Sequence, residues 1–122
     1  MPSVFILDDD ASLLFALDIW LSHSGYEVYT FNNSANLIQH LHTFTPDIVL
    51  LDVLLSELKN GRSVCLELKY QYHFPNKIYL FSATHLHDND VLKCCADGFI
   101  DKPFDLQDLL NILNSALYIV TK

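Results

Sequence analysis

The sequence Ile48-Val49-Leu50-Leu51-Asp52 decides the fold of this chain. Four consecutive apolar residues end in one carboxylate, and a proline two residues ahead of them biases the backbone before it away from helix. A short continuous apolar run of this kind is typical of a strand that is covered on both faces of a sheet. The carboxylate would then lie at the rim of the sheet, where ligands bind in open α/β folds.

Patterns typical of strands and helices alternate along the rest of the chain. Strands are predicted over residues 4–7, 26–31, 48–52, 78–81 and 99–101. Helices are predicted from Asp10 or Ala11 to a C-cap at Gly25, over 35–41, around 64–68, from Asp88 or Asn89 to Cys95, and from a cap at Asp105 to 117. Strands that alternate with helices favour a parallel sheet with helices on both faces. We therefore predict a flavodoxin-like α/β fold, a (βα)5 three-layer sandwich whose parallel five-stranded sheet has the order 2-1-3-4-5.

The composition indicates one folded domain over residues 1–122, because 51% of the 122 residues are apolar and no low-complexity stretch interrupts them. The net charge of −8 argues against direct binding of nucleic acid or of an anionic membrane. The sequence shows no pattern of a secretory leader and no apolar run long enough to span a bilayer. Three cysteines do not suggest a disulfide framework, so a reducing, cytoplasmic setting is expected.

Polar side chains stand at the ends of four predicted strands: Asp8, Asp52, Ser82 and Lys102. With the first and third strands adjacent, about 5 Å apart, Asp8, Asp9 and Asp52 would share one pocket. Three carboxylates so close repel one another unless positive charge is supplied, and a divalent cation together with Lys102 would balance them. Hard oxygen ligands with room for water favour magnesium (Mg²⁺) over zinc.

These groups are the parts of a site that receives a phosphoryl group. A carboxylate can act as the nucleophile, while the cation and the ammonium offset the charge of the transferring group. A hydroxyl can donate a hydrogen bond to a phosphoryl oxygen once the group is in place.

Four stretches, each at a predicted strand end, carry a resemblance to a known family. They are residues 6–10 (ILDDD), 46–52 (PDIVLLD), 81–83 (FSA) and 98–104 (GFIDKPF). In this order, and over the whole chain, they resemble the receiver (REC) domain of two-component response regulators, the family of the chemotaxis response regulator. The resemblance implies a phosphorelay signalling domain rather than an enzyme, with no activity beyond self-catalysed phosphotransfer and autodephosphorylation.

The resemblance also implies roles for individual residues. Asp52 resembles the phosphoacceptor, and Asp8 and Asp9 resemble the acidic pair of the Mg²⁺ site, with Asp9 as a direct ligand. The backbone carbonyl of Leu54 would be a further metal ligand. Lys102 resembles the phosphate-binding lysine, and its bond to the following proline is expected to be cis.

Two further residues resemble the family's switch: Ser82 as the switch hydroxyl, and Phe99 as the aromatic that turns inward upon phosphorylation. The loop after the acceptor departs from the family's pattern. Ser56 stands where the family usually has proline, and the family's glycine falls on Asn60, with Gly61 one residue later. The loop is therefore expected to be one residue longer or differently shaped.

The partners that the resemblance implies are a phosphohistidine donor, which is a sensor histidine kinase or a phosphotransfer protein, and a downstream protein. A changed face formed by the fourth predicted helix, the fifth strand and the last helix would bind that downstream protein or form a homodimer. An apolar surplus on the first helix, at Phe15, Ile19 and Trp20, indicates either a wide core stripe or a docking surface for the kinase's helical domain.

Other functions stay open at this point. The phosphatases of the haloacid dehalogenase type use an aspartate after the first strand as nucleophile, and Asp8 followed by Asp10 can be interpreted in that way. A phosphorylation-independent adapter of the same fold is the second alternative. Zinc binding by His85, His87 and the cysteine pair 94–95 fits no spacing typical of structural zinc sites.

Overall fold

The computed structural model describes residues 1–53, 61–82 and 96–117. Its strands are β1 (Ser3–Leu7), β2 (Glu27–Phe31), β3 (Ile48–Asp52), β4 (Lys77–Ser82) and β5 (Gly98–Asp101). Its helices are α1 (Ala11–His23), α2 (Ser34–Leu41), α3 (Gly61–Leu66) and α4 (Leu106–Ala116). The helix predicted to end at Cys95 falls outside the described residues.

The five described strands form one parallel sheet with the order β2-β1-β3-β4-β5. This order confirms the predicted flavodoxin-like arrangement. Each predicted strand agrees with an observed one to within one residue at either end. The central position of β3 places Asp52, at the end of its apolar run, between the ends of β1 and β4.

Every residue of β1 and β3 is buried, because both faces of the sheet are covered. Successive side chains of a strand point to opposite faces. Val4 and Ile6 pack in the layer that contains α1 and α4, whereas Phe5 and Leu7 pack in the layer that contains α2 and α3. A strand enclosed in this way needs apolar residues at consecutive positions, which explains the unbroken run in β3.

Side-chain caps fix where three helices begin. The carboxylate of Asp10 accepts a hydrogen bond from the N–H of Leu13 at 3.1 Å, and α1 starts at the next residue. Asn33 caps α2 and Asp105 caps α4 in the same way, at 2.9 and 2.7 Å. These caps confirm the predicted helix starts, since each satisfies an N–H group that the first turn leaves without a partner.

The helix predicted around residues 64–68 differs from its expected form. α3 continues as a π-helical turn over Glu67–Gln71, and His73 then takes a left-handed backbone conformation with φ 54°. The sequence does not reveal the wider turn, because the buried residues Val64, Cys65 and Leu68 have the spacing of an ordinary helix face. No helix in the described part of the chain has the length and apolar content needed to cross a membrane.

Candidate functional site

The carboxyl ends of the parallel strands bring two predicted site residues together at one edge of the sheet. Asp52 is the last residue of β3, and Asp8 directly follows β1. The two strands are neighbours, with Leu7 opposite Leu51 in register. The aspartates therefore lie side by side although they are far apart in sequence.

Three carboxylates form a cluster at this edge. Asp8, Asp9 and Asp52 each offer one carboxylate oxygen, and these atoms all lie within 4.8 Å of one another. Asp8 is fully buried and Asp52 is 5% exposed, whereas Asp9 is exposed to solvent. Such oxygen donors suit a hard divalent cation like Mg²⁺, and the exposed side leaves room for the waters that this ion keeps.

The ammonium of Lys102 faces the same cluster. Its Nζ atom donates a hydrogen bond to Oδ2 of Asp8 at 2.8 Å and lies 3.6 Å from Oδ1 of Asp52. Three carboxylates and one ammonium leave two formal negative charges, which a divalent cation would neutralise. The peptide bond between Lys102 and Pro103 is cis, as predicted.

Asp8 is held by hydrogen bonds on several sides. Its backbone N–H donates to the carbonyl of Phe31 at 3.1 Å, which ties the end of β1 to β2. Its Oδ1 atom accepts from the backbone N–H of Asp10 at 2.9 Å, and its Oδ2 atom accepts from Lys102. Both carboxylate oxygens are thus engaged, so the orientation of this side chain is fixed.

An aromatic ring lies beside the ammonium, which the sequence did not indicate. The Nζ atom of Lys102 is 4.8 Å from the centroid of the Phe81 ring. Phe81 is fully buried in β4, opposite Asp52 in register, and its carbonyl accepts a hydrogen bond from the N–H of Val53 at 3.0 Å. Only the strand order reveals this neighbourhood, because Phe81 is far from Asp52 and Lys102 in sequence.

The family model described as the response regulator receiver domain matches residues 4–114. This chain belongs to the response regulator receiver domain family. The matched range contains all four stretches that carried the resemblance, so the predicted family is confirmed. The chain is therefore a receiver domain of two-component signalling.

Solved receiver domains share the fold. A two-component response regulator from Clostridium difficile superposes with a TM-score of 0.88 at 18% identity, with 97% of each chain covered. The chemotaxis protein CheY4 from Vibrio cholerae gives a TM-score of 0.88 at 22% identity over 96% of this chain and 99% of that one. The BeF3-activated N-terminal receiver domain of RstA from Klebsiella pneumoniae gives a TM-score of 0.83 at 22% identity over 94% of this chain and 97% of that one.

Two further predicted residues, Ser82 and Phe99, lie on the strands β4 and β5 of this receiver domain. Ser82 is the last residue of β4, opposite Asp101 in register, so its backbone lies at the same edge as the cluster. Phe99 lies opposite Leu80 in β5 and is half-buried against the layer that contains α2 and α3. Leu54, whose carbonyl was predicted to bind the metal, falls outside the described residues, as does the altered loop around Ser56.

Gly61, the first residue of α3, lies against the end of the acceptor strand. The N–H of Gly61 donates to the carbonyl of Val53 at 3.0 Å. A Cβ atom at this position would lie only 2.2 Å from the carbonyl oxygen of Asp52. The backbone of the receiver domain thus requires glycine here, one residue later than the family's usual spacing predicted.

Proposed function

We propose that this receiver domain accepts a phosphoryl group on Asp52 from a phosphohistidine of a sensor histidine kinase or a phosphotransfer protein, with Mg²⁺. The observation that carries the proposal is the charge arrangement at the strand ends. A nearly buried carboxylate has two more carboxylate oxygens within 4.8 Å and an ammonium at 3.6 Å. The groups that we propose as nucleophile, metal ligands and phosphate-binding cation therefore lie close together.

In the proposed transfer, a carboxylate oxygen of Asp52 forms a bond to phosphorus while the bond from phosphorus to the donor's imidazole nitrogen breaks. The nitrogen keeps the electron pair, and the product is an acyl phosphate. Asp8, Asp9, Asp52 and the Leu54 carbonyl are the proposed ligands of Mg²⁺, which when bound offsets charge on the phosphoryl oxygens. Lys102, already between two carboxylates, would bind a phosphoryl oxygen. Hydrolysis of the acyl phosphate at the same site would end the signal, which makes the domain a switch rather than an enzyme.

The hydrogen bonds of Asp8 argue against Asp8 as the nucleophile of the phosphatase alternative. One oxygen of Asp8 accepts from a backbone N–H at 2.9 Å and the other from Lys102 at 2.8 Å. A carboxylate with both oxygens held by donors is a weaker nucleophile, because its negative charge is already stabilised.

The exposed apolar side chains of α1 are the proposed docking surface for the donor's helical domain. Phe15, Ile19 and Trp20 are 69%, 41% and 42% exposed. The interpretation as a core stripe is therefore wrong for these residues. A cleft of about 460 Å³ between α1 and the residues after β5 extends the surface toward the site; its lining residues are Asp10, Leu13, Trp20, Lys102, Pro103 and Phe104. A helix lying there would reach the phosphoacceptor edge.

The proposed output is a change in the face formed by the fourth predicted helix, β5 and α4. Ser82 would bind the acyl phosphate and Phe99 would turn inward, so that the face binds a downstream protein or a second copy. We treat residues 1–122 as one receiver domain with no direct role in binding nucleic acid or membranes. The proposed location is cytoplasmic, as the odd number of three cysteines favours.

The test uses acetyl phosphate and Mg²⁺ as a small donor system that needs no partner protein. Intact mass should show one phosphoryl group on the wild type and none on Asp52→Asn. The adduct should also depend on Mg²⁺. Beryllofluoride, which activates the receiver domain of RstA from Klebsiella pneumoniae, should shift the NMR resonances of Phe99 in the wild type and not in Asp52→Asn.

Each alternative gives a different result in this experiment. Peptide mapping that finds the label on Asp8 would support the phosphatase. A wild type that takes up neither acetyl phosphate nor beryllofluoride would support the adapter, and the loop between Val53 and Gly61 would be the first region to compare with active relatives.

A further inference from the structure

The ammonium of Lys102 lies against an aromatic surface as well as two carboxylates. Its Nζ atom is 4.8 Å from the centroid of the Phe81 ring, within the distance at which the negative face of a ring attracts a cation. The side chain of Lys102 is only 20% exposed, so it is partly removed from water. Partial removal from water strengthens such an attraction.

The ring itself has a fixed position. Phe81 is fully buried in β4, and its ring also contacts Phe104 with a centroid distance of 6.1 Å. Its backbone carbonyl accepts the N–H of Val53, the residue after the proposed acceptor, at 3.0 Å. One residue therefore supports the acceptor strand through its backbone and the lysine through its side chain.

We propose that Phe81 is a positioning residue for phosphoryl transfer, whose ring holds the ammonium of Lys102 between Asp8 and Asp52. The inference rests on the proposed function, since it assigns a partner to the phosphate-binding lysine of that site. A flexible lysine loses side-chain entropy when it is held in one place, and the attraction of the ring offsets part of this loss. An aliphatic side chain of similar size would fill the same space without attracting the charge.

Fluorination of the ring separates this attraction from packing. Successive fluorine atoms weaken the negative face of an aromatic ring and change its size little. The experiment replaces Phe81 with 4-fluoro-, 3,5-difluoro- and 3,4,5-trifluorophenylalanine in the full chain and measures the rate of phosphorylation by acetyl phosphate at saturating Mg²⁺. The rate should fall stepwise with fluorine count, by about threefold to tenfold over the series.

Two controls identify the cation as the cause. The same series at Phe5, which is fully buried among Tyr29, Phe31 and Phe44, should leave the rate unchanged. In a Lys102→Met background, the Phe81 series should produce no additional change, because the ring then has no charge to attract. The proposal is overturned if the phosphorylation rate does not change with the number of fluorine atoms at Phe81. It is also overturned if the rate falls by the same factor in the Lys102→Met background.

A second readout does not need phosphorylation. In the unmodified protein, the ring current of Phe81 should shift the ε-methylene proton resonances of Lys102 upfield, and Phe81→Leu should return them to ordinary lysine positions. An unchanged shift in Phe81→Leu overturns the placement of the ring even if phosphotransfer proceeds normally. A third outcome is that Phe81→Leu loses the ring-current shift while the wild type accepts no phosphoryl group. In that case the ring lies where the structure has it, but the proposed function fails, and the role of Phe81 in transfer fails with it.

Discussion

Replacement of Gly61 by alanine tests how the backbone of the acceptor is held. The added Cβ atom would lie 2.2 Å from the carbonyl oxygen of Asp52, 2.8 Å from its carbonyl carbon and 3.0 Å from Cα of Val53. Ordinary contacts of this kind need about 3.2 Å or more, so the two segments must separate by about 1 Å. The atoms in the way are backbone atoms of a central strand, which cannot swing aside as a side chain would.

The displacement should cost both stability and activity. Forcing an extra carbon into a packed region destabilises a protein by about 1–3 kcal/mol, and a catalytic group moved by about 1 Å can lose about 100-fold in rate. We expect Gly61→Ala to lower the free energy of unfolding in urea by about 2 kcal/mol and the rate of phosphorylation by acetyl phosphate by about 100-fold.

Gly98→Ala is the matched control. Its added Cβ atom would lie 3.0 Å from a ring carbon of Tyr79, and a side chain can move by a few tenths of an ångström. That variant should lose less than about 1 kcal/mol and keep a near-normal rate. A Gly61→Ala protein with the stability and rate of the wild type would refute the inference that this glycine sets the position of Asp52.

Three further predictions concern stability away from the site. His73 has φ 54°, a backbone conformation that is strained for histidine and not for glycine. His73→Gly should therefore raise the free energy of unfolding by about 0.5–1 kcal/mol, seen as a higher urea midpoint. A lower midpoint would contradict this. Burial raises the pKa of Tyr26 to about 12, so the folded state keeps its phenol proton while the unfolded chain loses it above about pH 10. Stability should therefore fall between pH 10 and 12 by up to about 2 kcal/mol more in the wild type than in Tyr26→Phe, as measured by urea titrations at each pH. The carboxylate of Asp47 accepts from the N–H of Ser3 at 2.8 Å and from its hydroxyl at 3.1 Å, so Asp47→Ala should cost about 1–3 kcal/mol, and Asp47→Asn should restore part of it.

Much of the fold could be predicted because it depends on local patterns. Strands β1 and β3 contain the continuous apolar runs 4–7 and 48–51. Asp10, Asn33 and Asp105 cap helices through hydrogen bonds to residues three positions away. The strand order and the grouping of Asp8 with Asp52 followed from the alternation of strands and helices together with the choice of a flavodoxin-like order.

Contacts between distant segments could not be predicted in the same way. The contact between the ring of Phe81 and the ammonium of Lys102 forms because β4 and β5 lie side by side. No local sequence pattern predicts such a contact between a ring and a cation. The tight approach of Gly61 to Asp52 joins two segments that are separated by residues 54–60, where the sequence departs from the family's pattern. The buried residues Val64, Cys65 and Leu68 have the spacing of an ordinary helix face, so the sequence carries no signal for the π-helical turn.

The complete burial of β3 has a consequence for how this receiver domain would respond to modification. A central strand enclosed on both faces exchanges its amide hydrogens mainly through global unfolding, whereas surface elements open locally at much lower free energy. The proposed phosphoryl group would thus be attached to the slowest-exchanging part of the molecule. The effect of the phosphoryl group on a partner would then have to arise from movement of the segments that follow the strands, while β3 itself stays in place.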